Sequence, residues 1–197
     1  DDVKENKLVS EPLSSNIVFI KNSVKLGFSG GNNIGAKYAE LRGFDYTLLL
    51  NNDTIIIDKD FLSKLIMPFS LNKNVYLTGP NTINFNSTFD SPMIEDSFVG
   101  NLFNLSFLNF FRRKLNAPSI YIDIKAISSP KPIPVYKISG ACLMFKTDRL
   151  KEIEYLDEKV WLSSEEAIIS EKIKNLNGLI YFQPLTTLIH KKGQSPR

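Results

Sequence analysis

Short apolar segments alternate with helical segments along the first half of the chain, and this alternation limits the folds available to it. Residues 16–20, 46–50 and 75–78 read as short strands rich in apolar side chains. Amphipathic helical patterns lie between them, one stopping at Gly43 and one ending near Pro68. Such strands are typical of parallel sheets whose faces are covered by helices. We therefore predict an α/β fold with one mostly parallel sheet flanked by helices.

The alternation stops between residues 81 and 134, where polar residues, prolines and an aromatic-rich segment replace it. Excursions of this length in a compact domain are usually functional or disordered. Beyond it the pattern predicts a strand at 136–145, a helix at about 164–176 and a strand at 179–183. The sequence contains no internal repeat, so we expect one domain over residues 1–197.

Composition narrows the classes of function and location. A chain of 197 residues with 43% hydrophobic content can bury the core of one globular domain. A net charge of +3 is too mild to indicate a nucleic-acid partner, and we expect none. No apolar run approaches the roughly 18 residues that span a bilayer. The single cysteine, Cys142, excludes an internal disulfide and fits a cytoplasmic location.

The residues Asn51, Asn52 and Asp53 follow the apolar strand at 46–50 directly. Ligands of open α/β sheets bind outside the carboxyl ends of the strands, where these residues are placed. One carboxylate among amide oxygens suits Mg²⁺ or Mn²⁺, which also bridge to substrate phosphates. The alternative is a simple turn, because Asn and Asp favour turns in any case.

His190 is the only histidine in the chain. It follows the apolar run at 185–189 and so could stand at a strand end, where its imidazole could join Asp53 on a metal ion. A lone histidine is more often a surface or packing residue. The residue type alone leaves both interpretations open.

A run of glycine and asparagine at 27–35 predicts a flexible turn over residues 27–31, with Asn32 or Asn33 capping the helix that follows. The spacing matches neither the dinucleotide fingerprint nor the P-loop. Glycines permit close approach of a ligand to the backbone, and a helix N-terminus favours an anion. A tight turn without a ligand is an equal alternative.

The residues Ser163, Ser164, Glu165 and Glu166 open the predicted late helix. Ser163 and Glu166 have the spacing of a capping box, and acidic residues in a first turn are favoured by the helix dipole. The functional alternative makes one carboxylate a general base at the edge of a cleft.

Five motifs occur in a characteristic order: GFSGGNNIG, LLLNNDT, SGACLMF, LDEKVWLSSEE and HKKGQS. In this order and spacing they resemble the family 2 inverting glycosyltransferases, especially the rhamnosyltransferase-like branch. The resemblance extends from about residue 16 to residue 195 and leaves only the middle excursion unmatched. It implies a nucleotide-binding domain of the A type, the nucleotide-diphospho-sugar transferase fold.

The same resemblance implies roles for the motif residues. Asp53 would bind the divalent ion, Mg²⁺ or Mn²⁺, that holds the sugar-nucleotide diphosphate. Asn51 and Asn52 lie in the same donor-binding motif. His190 would complete the metal or diphosphate site.

The glycine-rich motif and the late acidic pair also acquire roles by resemblance. Gly30, Gly31 and Asn32 fall in the loop that lies along the nucleotide sugar, and Glu166 falls at the catalytic base. The implied reaction moves a sugar from a nucleotide-diphosphate donor, with dTDP or UDP as the guessed nucleotide. The acceptor would be a glycan or a lipid-linked glycan in bacterial surface-polysaccharide assembly, and residues 81–134 would form an acceptor-side insertion.

The chain departs from the family at its start, because the usual first strand, helix and second strand are not present. We therefore expect an N-terminally truncated domain. An alternative function follows from this expectation: a non-catalytic relative that binds a glycan or a partner protein.

The segment at 98–115 combines aromatic residues and leucines with a short basic run. One interpretation is an amphipathic element that lies on an anionic membrane, which would place the protein peripherally at the inner face of the cell membrane. The other is a helix packed on the sheet edge with a solvated basic end.

Overall fold

The computed structural model describes residues 12–14, 16–84, 88, 90–93, 130–159 and 165–191. In chain order these residues form β1 (Pro12–Ser14), β2 (Ile17–Val18), α1 (Gly27–Leu41), β3 (Tyr46–Leu50), β4 (Thr54–Ile56), α2 (Phe61–Ile66), α3 (Pro68–Leu71), β5 (Val75–Asn84), β6 (Ile133–Val135), β7 (Cys142–Lys146), α4 (Thr147–Glu152), α5 (Glu165–Asn175) and β8 (Leu179–His190). Within the described ranges, no helix combines the length and the apolar character needed to cross a membrane. The segment at 98–115 lies outside them.

One sheet carries the fold, with β3, β7, β5 and β8 side by side in that order. The other edge of β8 pairs with β6 along its first half and with β4 along its second half. The predicted α/β architecture with a sheet flanked by helices is confirmed. Among the described strands only β5 and β8 pair in parallel, so the prediction of a mostly parallel sheet is wrong.

The direction of β7 explains this error. β7 follows the long excursion after β5, and it begins beside the end of β3, with Cys142 opposite Leu50. From that position β7 runs back between β3 and β5. Because β3 and β5 are each antiparallel to β7, they run in the same direction as each other and as β8. Three carboxyl ends therefore still meet at one edge of the sheet.

Helices cover both faces of the sheet. On one face α1, α4 and α5 contribute Ala36, Leu150 and Ile169 to a buried apolar cluster. On the other face α2 contributes Phe61 and Leu65 to a second cluster. Successive residues of β7 alternate between the two clusters, because side chains on a strand point to opposite faces.

Helix α1 ends where the sequence predicts but begins earlier. Gly43 has φ +73°, and the amides of Gly43 and Phe44 donate to the carbonyls of Glu40 and Ala39, at 2.9 and 3.1 Å. This is the glycine-terminated C-cap expected from the sequence. The predicted turn over residues 27–31 is wrong, however, because these residues form the first turns of the helix.

Contacts made by Asn33 help to hold the glycine-rich segment as a helix. Its side chain is 3% exposed, so it is buried in the fold. It donates to the carbonyl of Leu156 at 2.9 Å and to Glu158 Oε1 at 2.8 Å, and it accepts from the amide of Leu156 at 3.0 Å. Each glycine in a helix costs about 1 kcal/mol relative to alanine. These tertiary bonds offset that cost.

The predicted first strand at 16–20 is also not part of the sheet. Only Ile17 and Val18 are in strand conformation, and they pair with β1 in an antiparallel ribbon. Both side chains are exposed, as is Phe19. An apolar run gains free energy only when neighbouring elements cover it, and in the described residues only β1 pairs with β2.

Strands β5 and β8 are longer than predicted. The sequence pattern ends them at residues 78 and 183, before Pro80 and Pro184. In the structure Pro80 pairs with Gln183 and Asn81 pairs with Thr187, so residues 184–186 form a bulge in β8. Proline is tolerated in a sheet at such irregular positions. Asp58 holds the bulge by accepting bonds from the Thr186 hydroxyl at 2.5 Å and the Thr187 amide at 3.2 Å.

The single strand predicted at 136–145 is two strands, β6 and β7. Between them, the amides of Ser139 and Gly140 donate to side chains, Ser91 Oγ at 3.3 Å and Glu166 Oε1 at 2.9 Å. Backbone groups bound in this way cannot join a strand ladder.

Two glycine substitutions test the boundaries of α1. Gly35 lies inside the helix with no atom within 4 Å of an added Cβ, so Gly35→Ala is expected to raise the free energy of unfolding by about 0.5–1 kcal/mol. Gly43 also has open space but a positive φ, so Gly43→Ala is expected to lower it by about 1 kcal/mol. Urea unfolding followed by circular dichroism measures both. A destabilising Gly35→Ala would contradict the helical assignment.

Candidate active site

Polar side chains gather where β3, β5 and β8 end. Asp53 lies in the turn between β3 and β4, His190 is the last residue of β8, and Asp90 follows β5. One of the two interpretations left open by the sequence was that His190 could join Asp53 on a metal ion at a strand end. Binding sites of α/β sheets form at this edge because the loops after the strands converge on it.

Asp53 and His190 are in direct contact. The distance between Asp53 Oδ1 and His190 Nε2 is 3.2 Å, and the two side chains are 12% and 14% exposed. Backbone pairing fixes the contact, since Thr54 is opposite His190 in the β4–β8 ladder and the Lys191 amide donates to the Asp53 carbonyl at 2.8 Å. The alternative of a surface histidine is therefore not what the fold shows.

Asp90 is a functional candidate that the sequence analysis missed. Its side chain is buried, and Oδ2 lies 3.8 Å from His190 Nδ1. The Asp90 amide donates to the carbonyl of Thr82 on β5 at 2.8 Å, which fixes the position of the residue. No sequence signal could have identified Asp90, because it lies in the irregular excursion and not directly after an apolar strand.

The chemistry of Asp53 and His190 fits a divalent cation. Two neighbouring ligands that each lie about 2.1 Å from an octahedral ion are about 3 Å apart, close to the distance observed between Oδ1 and Nε2. The described residues contain no group of three or more His, Cys, Asp or Glu side chains placed to bind one ion. A metal here would therefore need further ligands from a diphosphate or water, which is the usual situation of Mg²⁺ and Mn²⁺ in phosphate-binding enzymes.

Glu166 connects to this edge through Gly140. The Gly140 amide donates to Glu166 Oε1 at 2.9 Å, and in the next residue the Ala141 carbonyl accepts from the Asn51 amide at 3.0 Å. The segment 139–141 thus joins the predicted base to the strand end that carries Asp53. Ser163, the predicted capping partner of Glu166, lies outside the described residues.

Asn51 and Asn52 form the turn that the sequence also allowed. The Thr54 hydroxyl donates to the Asn51 carbonyl at 2.7 Å, and Asn52 is exposed. The turn places the Asp53 side chain beside β8, so the turn and the metal-binding hypothesis are compatible. Donor binding by Asn51 and Asn52 stays a prediction.

Gly30, Gly31 and Asn32 lie in α1 and not in a loop. The Asn32 side chain donates within the helix to the Phe28 carbonyl at 2.9 Å. A Cβ at Gly30 would lie 2.9 Å from Leu26 Cβ, whereas Gly31 has open space around it. Donor binding by these three residues stays a prediction, and any such contact would come from a helix surface.

A polar groove of about 510 Å³ runs beside the same helix. Its lining includes Asn33 and Lys37 from α1, residues 154–159 and Lys172 from α5. Lys172 Nζ donates to the carbonyls of Ile153 and Tyr155 at 3.0 and 2.9 Å. Several lining groups therefore bond to one another and hold the walls of the groove in place.

Cys142, the only cysteine in the sequence, is not a candidate nucleophile. Cys142 lies at the start of β7 with no exposed surface. Burial raises the pKa of its thiol to about 12. At neutral pH the thiol stays protonated, and it is a poor nucleophile because thiolate is the reactive form.

Comparison with known proteins finds similar structures but no similar sequences. No protein-family model and no curated protein sequence matches the chain. Among solved structures 73 chains match. One is the crystal structure of GalNAc-T7 with UDP, GalNAc and Mn²⁺, with a TM-score of 0.58 and 14% sequence identity.

The fold of the chain is similar to that of a glycosyltransferase domain. The similarity covers 86% of this chain and 31% of that GalNAc-T7 chain, so the present chain spans about a third of its length. At such low identity the match concerns the fold alone. The predicted α/β fold with a sheet flanked by helices is similar to the fold of that glycosyltransferase.

The close approach of Gly140 to Glu166 gives a test of the site. A Cβ at Gly140 would lie 2.7 Å from Glu166 Oε1, so Gly140→Ala is expected to displace this flexible carboxylate. We expect little change in melting temperature, because only the tip of a side chain must move. A crystal structure of the variant would show whether the Gly140–Glu166 hydrogen bond is lost.

Gly79→Ala serves as the matched control for Gly140→Ala, because it adds the same methyl group at a glycine where the neighbouring atoms lie in the core. Its Cβ would lie 2.4 Å from Ile138 Cδ1 inside the core and 3.2 Å from the Cys142 carbonyl oxygen. This variant is expected to lower the melting temperature, as overpacked cores do. An unmoved Glu166 in Gly140→Ala would show that the contact is looser than the structure indicates.

Proposed function

We propose that the chain is a metal-dependent inverting glycosyltransferase that uses a nucleotide-diphosphate sugar. The observation that supports this most directly is the contact of Asp53 with His190 at the carboxyl edge of a glycosyltransferase fold. A carboxylate and an imidazole, two types of ligand suited to a divalent cation, meet there although their residues are far apart in the sequence. The family resemblance of the motifs points to the same chemistry.

At the donor end, Asp53 and His190 would hold the cation, with Mg²⁺ or Mn²⁺ as the candidates. When bound, the ion supplies positive charge that stabilises the leaving diphosphate. Asp53 and His190 are mostly buried, so the protein holds both ligands in place before the donor binds. Fixed ligands lose little conformational entropy on binding.

At the acceptor end, Glu166 would act as general base. It would take the proton of an acceptor hydroxyl while that oxygen forms a bond to the anomeric carbon and the bond to the diphosphate breaks. Attack from the face opposite the diphosphate inverts the configuration. The Gly140 amide bonds to Oε1 and so fixes the carboxyl group, leaving Oε2 for the acceptor.

The finer assignment follows the family resemblance alone. It proposes transfer of a hexose or deoxyhexose from a dTDP or UDP donor to a glycan or lipid-linked acceptor in bacterial surface-polysaccharide assembly. Membrane contact through residues 98–115 remains a prediction about a segment outside the described ranges.

Nucleotide binding tests the donor site. We expect UDP or dTDP with Mn²⁺ to raise the melting temperature, because a ligand that binds only the folded state stabilises it by about 2.7 kcal/mol at 100 times its dissociation constant. Asp53→Asn is expected to abolish the Mn²⁺-dependent part of the shift. Differential scanning fluorimetry measures it.

Asp148→Asn provides the control for that experiment. Asp148 is an exposed carboxylate in α4, which follows the opposite end of β7. Its loss is expected to leave the nucleotide shift unchanged. A cooperative melt that no nucleoside diphosphate moves would reject the transferase proposal and favour the non-catalytic, glycan- or partner-binding alternative.

Replacing the proposed base separates catalysis from binding. Glu166→Gln is expected to lower kcat by about 10²–10⁴, the usual contribution of a general base, while the nucleotide-induced thermal shift stays. Release of nucleoside diphosphate from the stabilising donor, with a panel of acceptors, measures turnover. Glu171→Gln, on the exposed face of the same helix, is expected to retain full activity. Equal turnover in Glu166→Gln and the unmodified chain would exclude Glu166 as the base.

A further inference from the structure

We propose that Asp90 positions His190 for metal binding. This role rests on the proposed function, and Asp90 lies outside the sequence motifs that suggested that function. The imidazole of His190 lies between two carboxylates. Its Nε2 is 3.2 Å from Asp53 Oδ1, and its Nδ1 is 3.8 Å from Asp90 Oδ2. Each ring nitrogen therefore has its own carboxylate neighbour.

The two ring nitrogens have different tasks. A neutral imidazole has one nitrogen with a free lone pair and one that carries hydrogen, and only the first can bind a metal ion. Nε2 faces Asp53, the other proposed ligand, so Nε2 must supply the lone pair. Nδ1 must then carry the hydrogen, and Asp90 Oδ2, 3.8 Å away, is a carboxylate oxygen that lies just beyond hydrogen-bonding distance of it.

The surrounding structure holds both partners in place. His190 pairs with Thr54 on one side and with Asn84 on the other, so the end of β8 is fixed at both edges. Asp90 is held to β5 through the Thr82 carbonyl, and the adjacent Ser91 hydroxyl accepts from the Ser139 amide at 3.3 Å. The role proposed for Asp90 requires Nδ1 and Oδ2, now 3.8 Å apart, to come within hydrogen-bonding distance when the ion binds.

The burial of Asp90 is consistent with a supporting role behind His190. Asp90 is only 5% exposed, and a buried carboxylate is costly unless polar or charged partners compensate. A carboxylate behind a metal-binding histidine is a common support that orients the ring and increases its basicity as a ligand. Asp90 would thus act through His190 and need not touch the ion.

Mn²⁺ affinity in the presence of saturating UDP tests the proposal. The loss of the free Mn²⁺ signal in electron paramagnetic resonance gives the dissociation constant for the full chain. Asp90→Asn keeps the shape of the side chain, and it is expected to weaken Mn²⁺ binding about 10- to 100-fold, as removal of such supports does. In a His190→Ala background the same change is expected to alter the affinity less than about twofold, because its effect passes through the ring.

Asp58→Asn is the matched control. Asp58 also contacts β8, but it does so through Thr186 and Thr187 and not through His190. Because an asparagine side chain still offers an oxygen to Thr186 and Thr187, the bulge is expected to stay in place, and this variant is expected to lower stability without changing Mn²⁺ affinity. An equal loss of affinity on Asp90→Asn with and without His190 would assign Asp90 a purely structural role and overturn the proposal.

A second measurement needs no variant. His190 is the only histidine of the chain, so ¹⁵N-histidine labelling gives the resonances of one imidazole. In the complex with UDP and diamagnetic Mg²⁺, long-range ¹H–¹⁵N spectra are expected to show hydrogen on Nδ1 and none on Nε2. Hydrogen on Nε2 in that complex would contradict the inference, even if Asp90→Asn fails to fold.

The two proposals fail in different ways. If the unmodified chain binds neither UDP nor Mn²⁺, the proposed function and the role of Asp90 fail together. If it binds both while Asp90→Asn binds Mn²⁺ equally well, only the role of Asp90 fails.

Discussion

The parallel pairing of β5 with β8 brings His190 and Asp90 together at the candidate active site. The ladder runs from Val75 opposite Leu179 to Asn84 opposite His190, with the bulge at residues 184–186 between its two halves. The bulge lengthens β8 relative to β5, so that the second half of β8 can pair with β4 and reach Asp53. Asp58 ties the bulge to the start of α2. A one-residue change in the length of this bulge would shift His190 to the opposite face of the sheet, because side chains alternate along a strand.

Electrostatics explain why the site is suited to a cation. Asp53 and Asp90 place two carboxylates around one imidazole, and each is largely removed from water. Burial of a negative charge is costly, and an opposite charge close by offsets the cost. A divalent ion bound between Asp53 and His190 would provide this compensation and would also attract a diphosphate. The site and its ligand would then stabilise each other.

The segment 139–141 links the two halves of the proposed reaction. Its Ala141 carbonyl bonds to Asn51 beside the donor end, and its Gly140 amide bonds to Glu166 at the acceptor end. The absence of a side chain at Gly140 allows the Glu166 carboxylate to approach the backbone. One short piece of backbone thus bonds both to Glu166, the proposed base, and to the turn that carries Asp53, the proposed metal ligand. Such positioning is a large part of how enzymes accelerate group transfer.

The sequence by itself determined the features that depend on residues close to one another along the chain. The bounds of β3, the glycine stop after α1 and the helix that carries Glu166 could all be predicted, because a local apolar run or a local cap decides them. The motif order also indicated the glycosyltransferase fold and identified Asp53 and His190 as candidates.

Only the tertiary structure decided the features that depend on distant partners. The reversed direction of β7 follows from the point at which the long excursion returns to the sheet. The helical state of residues 27–31 depends partly on bonds from Asn33 to Leu156 and Glu158. The place of Asp90 beside His190 depends on β5 and β8 pairing in one register. Each arrangement arises from contacts between segments far apart in the chain, and local propensity carries no information about which segments will meet.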